Sequence, residues 1–96
     1  MASRQVLDAA TVSMALEGLP GWKADGNATI SKHFEFDSHI TAMGFVVKVA
    51  MAAEVMDHHP DLRIVYNKVD ITLSTHDAGG VTALDMELAG KIDSSA

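Results

Sequence analysis

The segment from Ser38 to Asp57 is apolar on nearly all sides, and this constrains the fold more than any other feature. Ser38 is placed to cap a helix that runs to about Asp57. The apolar residues surround this helix instead of forming one stripe: Ile40, Ala42, Met43, Phe45, Val46, Val47, Val49, Ala50, Met51, Ala52, Ala53, Val55 and Met56. Such a helix needs cover on two sides. The domain's own sheet can cover one side. The other side is covered by a second copy of the chain or by the remaining helices, and we expect a homo-oligomer, a dimer or a tetramer.

Two strands are predicted after this helix. Proline disfavours helical geometry in the residue before it, so Pro60 requires the helix to end near the adjacent histidines. Apolar and polar residues then alternate, as in half-buried strands. A two-residue turn at Asn67-Lys68 would pair Tyr66 with Val69, Ile64 with Ile71 and Leu62 with Leu73, which places all six on one buried face. Carried further, the same register brings His59 roughly opposite His76.

The chain before Ser38 has the pattern of a helix followed by a hairpin. The helix is predicted from Leu7 to Gly18, with Asp8 as its N-cap. A turn at Asp25-Gly26-Asn27 then joins two strands. In the second strand Ile30, Phe34 and Phe36 share one face, on which Lys32 is the exception.

The chain after Gly79-Gly80 has the pattern of a third helix. Thr82 and Asp85 have the spacing of a capping box, which gives Asp85 a structural explanation. The predicted order is α-β-β-α-β-β-α. This order indicates an α+β fold with helices packed on one face of a four-stranded antiparallel sheet. We expect a single domain over residues 1–96.

Charge and composition exclude several classes of function. The formal net charge is −6 and Lys and Arg do not cluster, which disfavours direct binding to nucleic acid. The chain has no cysteine, so disulfides and thiolate metal sites are excluded. Lys48 and Glu54 interrupt the apolar segment, which argues against a membrane span. The N-terminus shows no targeting signal, and we expect a cytoplasmic protein.

Three of the five histidines lie close together in this predicted fold. His58 and His59 follow the long helix, and the strand register returns His76 to them. Glu54 lies four residues before His58, on the same helix face if the helix reaches that far, and Asp57 is adjacent. Carboxylates and a helix C-terminus both stabilise a protonated imidazole, which suits proton transfer.

Two other interpretations of these histidines remain open. A zinc site would usually use histidines spaced i, i+4 on one helix, whereas adjacent histidines point in different directions. The histidines could also simply end a helix and a strand, an interpretation that is sufficient for His33 and His39. Tyr66 is interpreted first as a core residue at a strand end.

Together these residues resemble the signature of a known family. The matching pattern is Glu54-x3-His58-His59-Pro60-x5-Tyr66-x9-His76-x8-Asp85. It resembles the signature of the pterin-4a-carbinolamine dehydratases, which in animals are also dimerisation cofactors of a homeodomain transcription factor. The resemblance extends from about Leu7 to Ile92 and includes Gly21-Trp22.

This resemblance implies an enzyme, a 4a-hydroxytetrahydrobiopterin dehydratase. Its substrate would be a 4a-hydroxytetrahydropterin, dehydrated to quinonoid dihydropterin during pterin recycling after aromatic amino acid hydroxylation. By position, His58 and His76 would be the acid/base pair, with Glu54 and Asp57 tuning or orienting the histidines. His59 would bind the pterin, and Pro60 and Asp85 would belong to the substrate-binding part of the signature. No metal or organic cofactor is implied. The resemblance also leaves an alternative, an oligomeric interaction module that binds a transcription factor or an aromatic amino acid hydroxylase.

Overall fold

The fold places its helices on one face of a four-stranded antiparallel sheet. The computed structural model describes residues 4–96, so residues 1–3 of the predicted domain lie outside the described residues. The elements are α1 (Ala9–Ala15), β1 (Lys23–Asp25), β2 (Thr29–Glu35), α2 (His39–Met56), β3 (Asp61–Val65), β4 (Lys68–Leu73) and α3 (Ala83–Ser95). The strands lie in the order β1-β2-β4-β3. The predicted α+β class and element order are confirmed.

The hydrophobic core lies between the inner face of the sheet and the helices. The central strand β4 buries Val69, Ile71 and Leu73 completely or almost completely. The helices contribute buried residues to the same cluster, among them Val12, Phe45, Val49, Leu88 and Ile92. Burying one aliphatic side chain of this size contributes about 1.5–3 kcal/mol. The inner face of β4 is therefore the main hydrophobic contact between sheet and helices.

Side-chain caps begin all three helices at the predicted residues. Asp8 Oδ1 accepts a hydrogen bond from the backbone N–H of Thr11 at 2.8 Å before α1. Ser38 caps α2, and Thr82 with Asp85 forms the capping box of α3. The first helix is shorter than predicted, because its last residues, Leu16–Gly18, tighten into a 3-10 turn. A cap of this kind usually contributes about 1 kcal/mol.

Lys32, the exception in the pattern of β2, is accommodated by a partly buried ion pair. Its Nζ lies 2.9 Å from Asp93 Oδ1 on α3 and 3.0 Å from the carbonyl oxygen of Pro20. Asp93 also accepts a hydrogen bond from Trp22 Nε1 at 3.1 Å. An unpaired charge in this partly buried position would destabilise the fold. Asp93 therefore allows a lysine on the inner face of the sheet.

The register between β3 and β4 differs from the predicted one by two residues. Val65 pairs with Lys68, Ile64 with Val69 and Leu62 with Ile71, so the turn is Tyr66-Asn67 and not Asn67-Lys68. A shift of two residues leaves every side chain on its predicted face. It does remove the predicted alignment of His59 with His76.

Contacts with the chain after β2 explain this turn. Asn67 Nδ2 donates to the carbonyl oxygen of Phe36 at 2.7 Å, and the Phe36 N–H donates to Asn67 O at 2.9 Å. Tyr66 adopts a left-handed conformation with φ 56° and lies in the turn, with its side chain 68% exposed. The interpretation of Tyr66 as a core residue was therefore wrong.

Helix α2 has one covered face and one uncovered apolar face. Ala42, Phe45, Val49 and Ala53 are buried against the rest of the domain. The opposite face exposes large apolar side chains, including Ile40 (80%), Val47 (56%), Met51 (65%) and Val55 (82%). By length and apolar composition alone α2 could cross a membrane. Its contacts with α3 and β4 are instead typical of a helix inside a globular domain.

We predict that the uncovered face of α2 lies in an interface between copies of the chain. Val47→Glu should lower the mass measured by light scattering at micromolar concentration, because a charge buried in an apolar interface costs several kcal/mol. Lys23→Glu introduces the same side chain at an exposed position on β1, away from α2, and it should keep the wild-type mass. A monomeric wild-type protein would contradict this prediction.

The outer face of the sheet carries polar side chains in cross-strand pairs. His33 on β2 faces Asp70 on β4, and His33 Nδ1 lies 2.6 Å from Asp70 Oδ1. This hydrogen bond raises the pKa of His33 above its usual value, with a smaller contribution from Glu35. The pair therefore stabilises the folded chain below the pKa of an unfolded histidine. That contribution is lost as the pH rises through the folded pKa.

This pair gives a direct prediction for titration. Asp70→Asn should lower the pKa of His33 measured by NMR, because the partner carboxylate is removed. Asp61→Asn removes another exposed carboxylate from the same sheet and should leave the His33 titration unchanged. Equal shifts in both variants would show that general charge, and not the pair, sets this pKa.

Candidate active site

The three clustered histidines line one pocket of about 190 Å³. His58 and His59 come from the chain that follows α2, and His76 comes from the turn that follows β4. The pocket is lined by Arg4, Asp57, His58, His59, Ser74, His76 and Asp77. The structure thus brings the three histidines together, although not through the predicted alignment of His59 with His76.

The shape of the chain after α2 directs the two adjacent histidines to different partners. The helix ends at Met56, and Asp57 adopts a left-handed conformation with φ 49° and ψ 44°. The backbone N–H groups of Asp57 and His58 still donate to the last turn of α2, at Glu54 O and Ala53 O. This cap turns the chain off the helix axis before the histidines begin.

His58 is buried and bound to Asp85. Its side chain is 7% exposed, and its Nε2 lies 2.6 Å from Asp85 Oδ1. Asp85 is fully buried, and its Oδ2 accepts hydrogen bonds from the Thr75 hydroxyl and the Thr82 backbone N–H, each at 2.9 Å. Asp85 therefore both caps α3 and holds His58, and it lies behind that histidine and outside the pocket lining.

Glu54 binds His59 and not His58, which corrects the predicted helix-face pairing. His59 Nε2 lies 2.6 Å from Glu54 Oε1, and both side chains are exposed. The expectation failed because His58 lies beyond the helix end, where i, i+4 spacing no longer places side chains on one face. His58 is also only 7% exposed, so it is not an exposed histidine that simply ends a helix.

The remaining predicted site residues differ in their distance from the pocket. Asp57 and His76 are exposed and line it. Pro60 is half-buried and lies next to the lining residues without being one of them. Tyr66, the signature residue of the turn, lies outside the lining as well.

Four residues at this site were missed by the sequence analysis. Arg4 and Asp77 form an ion pair at the pocket rim, with Arg4 Nη1 3.3 Å from Asp77 Oδ2. Ser74 lines the pocket, and Thr75 lies behind it in contact with Asp85. No short motif marks Arg4, because it reaches the pocket from the other end of the chain. Thr75 stands directly before His76, and only this neighbouring position in the sequence could have indicated that it lies at the site.

The side-chain arrangement does not favour a metal centre. The Nε2 atoms of His58 and His59 are each occupied by a different carboxylate. Within residues 4–96 no three His, Asp or Glu side chains are grouped as metal ligands. Tetrahedral zinc needs three or four ligand atoms that converge on one point.

A larger groove of about 350 Å³ lies elsewhere, along the sheet. His33 and Asp70 line it, but they are bound to each other, and Lys32 is bound to Asp93. These groups are occupied in holding the sheet and α3. We assign the candidate site to the smaller pocket, because chemically useful groups from separate elements converge there.

Comparison with known proteins identifies the family of the chain. A family model described as pterin 4 alpha carbinolamine dehydratase matches residues 5–95. The chain belongs to the pterin-4a-carbinolamine dehydratase family. The family is one of hydro-lyases, so the protein is an enzyme of the dehydratase class. The family resemblance seen in the sequence is confirmed.

Bacterial relatives of this family match most of the chain. A protein from Bradyrhizobium sp. strain BTAi1 is 53% identical over 83 residues, which cover 85% of this chain and 84% of that protein. A protein from Sinorhizobium medicae is 48% identical over 91 residues, with coverage of 94% and 87%. Both are provisionally named pterin-4-alpha-carbinolamine dehydratases.

Two solved structures share the fold. A Brucella melitensis protein described as a transcriptional coactivator/pterin dehydratase has a TM-score of 0.89 and 42% identity, covering 94% of this chain and 97% of its own. A pterin dehydratase-like protein described as a RuBisCO assembly factor in the alpha-carboxysome has a TM-score of 0.68 and 24% identity. That match covers 79% of this chain and 89% of the other, and it shows the fold alone.

We predict that dehydratase activity does not depend on a metal ion. Dialysis against a strong chelator should leave the rate unchanged, because Nε2 of His58 and Nε2 of His59 bind different carboxylates and no three ligand side chains are grouped within residues 4–96. A rate that falls with chelator and returns with added zinc would contradict this, since the metal would then be activating the leaving water.

Proposed function

We propose that the pocket dehydrates a 4a-hydroxytetrahydropterin to quinonoid dihydropterin by histidine acid/base catalysis. The observation that supports this most is the convergence of His58, His59 and His76 on one pocket, with two of them bound to carboxylates. The match to the dehydratase family supplies the reaction class.

The reaction needs one proton donor and one proton acceptor. Hydroxide is a poor leaving group, so an acid must protonate the oxygen on C4a as the C4a–O bond breaks. A base accepts the proton from N5. The electron pair of the N5–H bond then forms the C4a=N5 double bond while water leaves. Imidazoles titrate near neutral pH and can exchange these two roles. The reaction written in this way needs no metal and no organic cofactor.

His58 and His76 are proposed as the acid/base pair. They reach the pocket from different elements, so they can approach opposite parts of a flat pterin ring. His59, held by Glu54, orients the ring, and Asp57 contributes charge at the pocket wall. Asp85 is fully buried behind His58, so we propose that it acts through that histidine. Pro60 fixes the direction of the chain that carries the pair.

The physiological setting follows from the same proposal. Tetrahydropterins oxidised by aromatic amino acid hydroxylases need this dehydration before they can be reduced again. We propose such a recycling role in the cytoplasm, with a hydroxylase as a functional partner, for a single domain over residues 1–96. The enzyme would act as a homo-oligomer and without direct binding to nucleic acid.

A second candidate function is an interaction module. The Brucella melitensis protein is described as both a coactivator and a dehydratase, and α2 presents an uncovered apolar face here. The two functions predict different results for purified protein. A spectroscopic assay with 4a-hydroxytetrahydropterin should show dehydration faster than the uncatalysed rate, and an interaction module alone would not accelerate it.

The roles of the three histidines give separable kinetic predictions. His58→Ala and His76→Ala should each lower kcat by about 10²-fold or more, the usual contribution of a positioned proton-transfer group. His59→Ala should act mainly by raising KM, because its proposed role is binding. The double variant of His58 and His76 should lose less than the product of the single effects if the two act as one unit.

Burial of His58 makes a second variant necessary. His58→Ala leaves Asp85 Oδ1 without its partner in a buried site, so His58→Gln should be measured beside it. His39→Ala is a matched control, since that histidine lies at the other end of α2 and bonds to Tyr66 O. Near-normal kcat in folded His58 and His76 variants would overturn the catalytic assignment.

A further inference from the structure

We propose that Thr75 is a positioning residue that fixes which ring nitrogen of His58 exchanges protons. This inference rests on the proposed acid/base role of His58 and deepens it. Thr75 is 1% exposed and stands immediately before His76. It lies outside the pocket lining, so any effect on catalysis must pass through its neighbours.

The direction of each hydrogen bond behind His58 can be assigned. The Thr75 hydroxyl has one hydrogen, which it donates to Asp85 Oδ2. The contact of 2.7 Å between the Thr75 and Thr82 hydroxyls must then have Thr82 as donor. Thr82 Oγ1 in turn accepts from the backbone N–H of Leu84. The chain of donors therefore runs from the start of α3, through both threonines, to the Asp85 carboxylate.

This arrangement makes Asp85 an acceptor on both oxygens. Oδ2 receives the Thr75 hydroxyl and the Thr82 backbone N–H, which leaves Oδ1 for His58. An ionised carboxylate only accepts, so His58 must carry a hydrogen on Nε2. In neutral His58 the other nitrogen, Nδ1, is then the base. Removing the Thr75 hydroxyl leaves the Thr82 N–H as the one remaining donor to Oδ2, so the carboxylate of Asp85 is held less firmly in this alignment.

The backbone of Thr75 also sets the turn that carries His76. Its N–H donates to Gly80 O at 2.9 Å, and its carbonyl oxygen accepts from the N–H groups of Ala78 and Gly79. The turn is closed tightly at Gly80, where a Cβ would come within 2.8 Å of Asn27 O. Thr75 therefore holds Asp85, the partner of His58, through its hydroxyl. It positions His76 through its backbone.

The test compares Thr75→Val, which removes the hydroxyl at nearly constant shape, with Thr75→Ser, which keeps it. Thr72→Val makes the same chemical change on β4, away from Asp85, and serves as the control. Ring ¹⁵N shifts of His58 report the tautomer without any substrate. In the wild type they should show hydrogen on Nε2, in Thr75→Val a mixture of tautomers, and in Thr75→Ser the wild-type state.

Kinetics provides the second measurement. Thr75→Val should lower kcat by about 10- to 100-fold, the usual contribution of a hydrogen bond to a charged group, with little change in KM. Thr75→Ser should recover most of the rate. Thr72→Val should keep both constants.

The outcomes separate this inference from the proposed function. A wild-type His58 with hydrogen on Nδ1 would overturn the inference even if Thr75→Val does not fold. Equal kcat in Thr75→Val and Thr72→Val, with activity still lost in His58→Ala, would overturn it and leave the proposed function intact. Absence of dehydratase activity in the wild type would instead overturn the proposed function, and the ring ¹⁵N shifts would still decide what Thr75 does to His58.

Discussion

The buried carboxylate of Asp85 connects the helix, the sheet and the candidate site. One of its oxygens caps α3 through the Thr82 N–H and binds the Thr75 hydroxyl, and the other binds His58. A buried carboxylate without such partners would be costly, so each of these donors stabilises the fold. Asp85 therefore fixes the relative positions of three segments: the start of α3, the end of β4 and the chain after α2.

Local patterns were sufficient to predict the elements and most of their faces. Caps at Asp8, Ser38 and Thr82 lie within three residues of the groups they bind, and such short-range chemistry is visible in a sequence. The β3–β4 turn was misplaced because its position depends on Asn67 binding Phe36, a contact across 31 residues. Asn67-Lys68 and Tyr66-Asn67 are both weak turn signals, so the local sequence could not choose between them.

The sequence predicted that His58, His59 and His76 come together, but it did not predict the hydrogen-bond partner of each histidine. Alternation along the strands was sufficient to return His76 to the neighbourhood of His58 and His59. The partner of each histidine depended on where α2 stops and how the chain then turns, which the left-handed conformation of Asp57 decides. The contact of His58 with Asp85 joins residues 27 apart, and periodicity carries no information over that separation. Asp85 was visible as a capping residue, and only the resemblance to the family placed it with the histidines.

Helix α2 carries two separate features: an exposed apolar face, and a last turn that leads into the candidate site. Its outer face, from Ile40 to Met51, touches neither the core nor the pocket, whereas its last turn supplies Glu54 and leads into Asp57. Substitutions on that outer face therefore act on the association of copies and leave the geometry around the histidines unchanged. A chain built in this way can change how its copies assemble while its catalytic chemistry stays under separate selection.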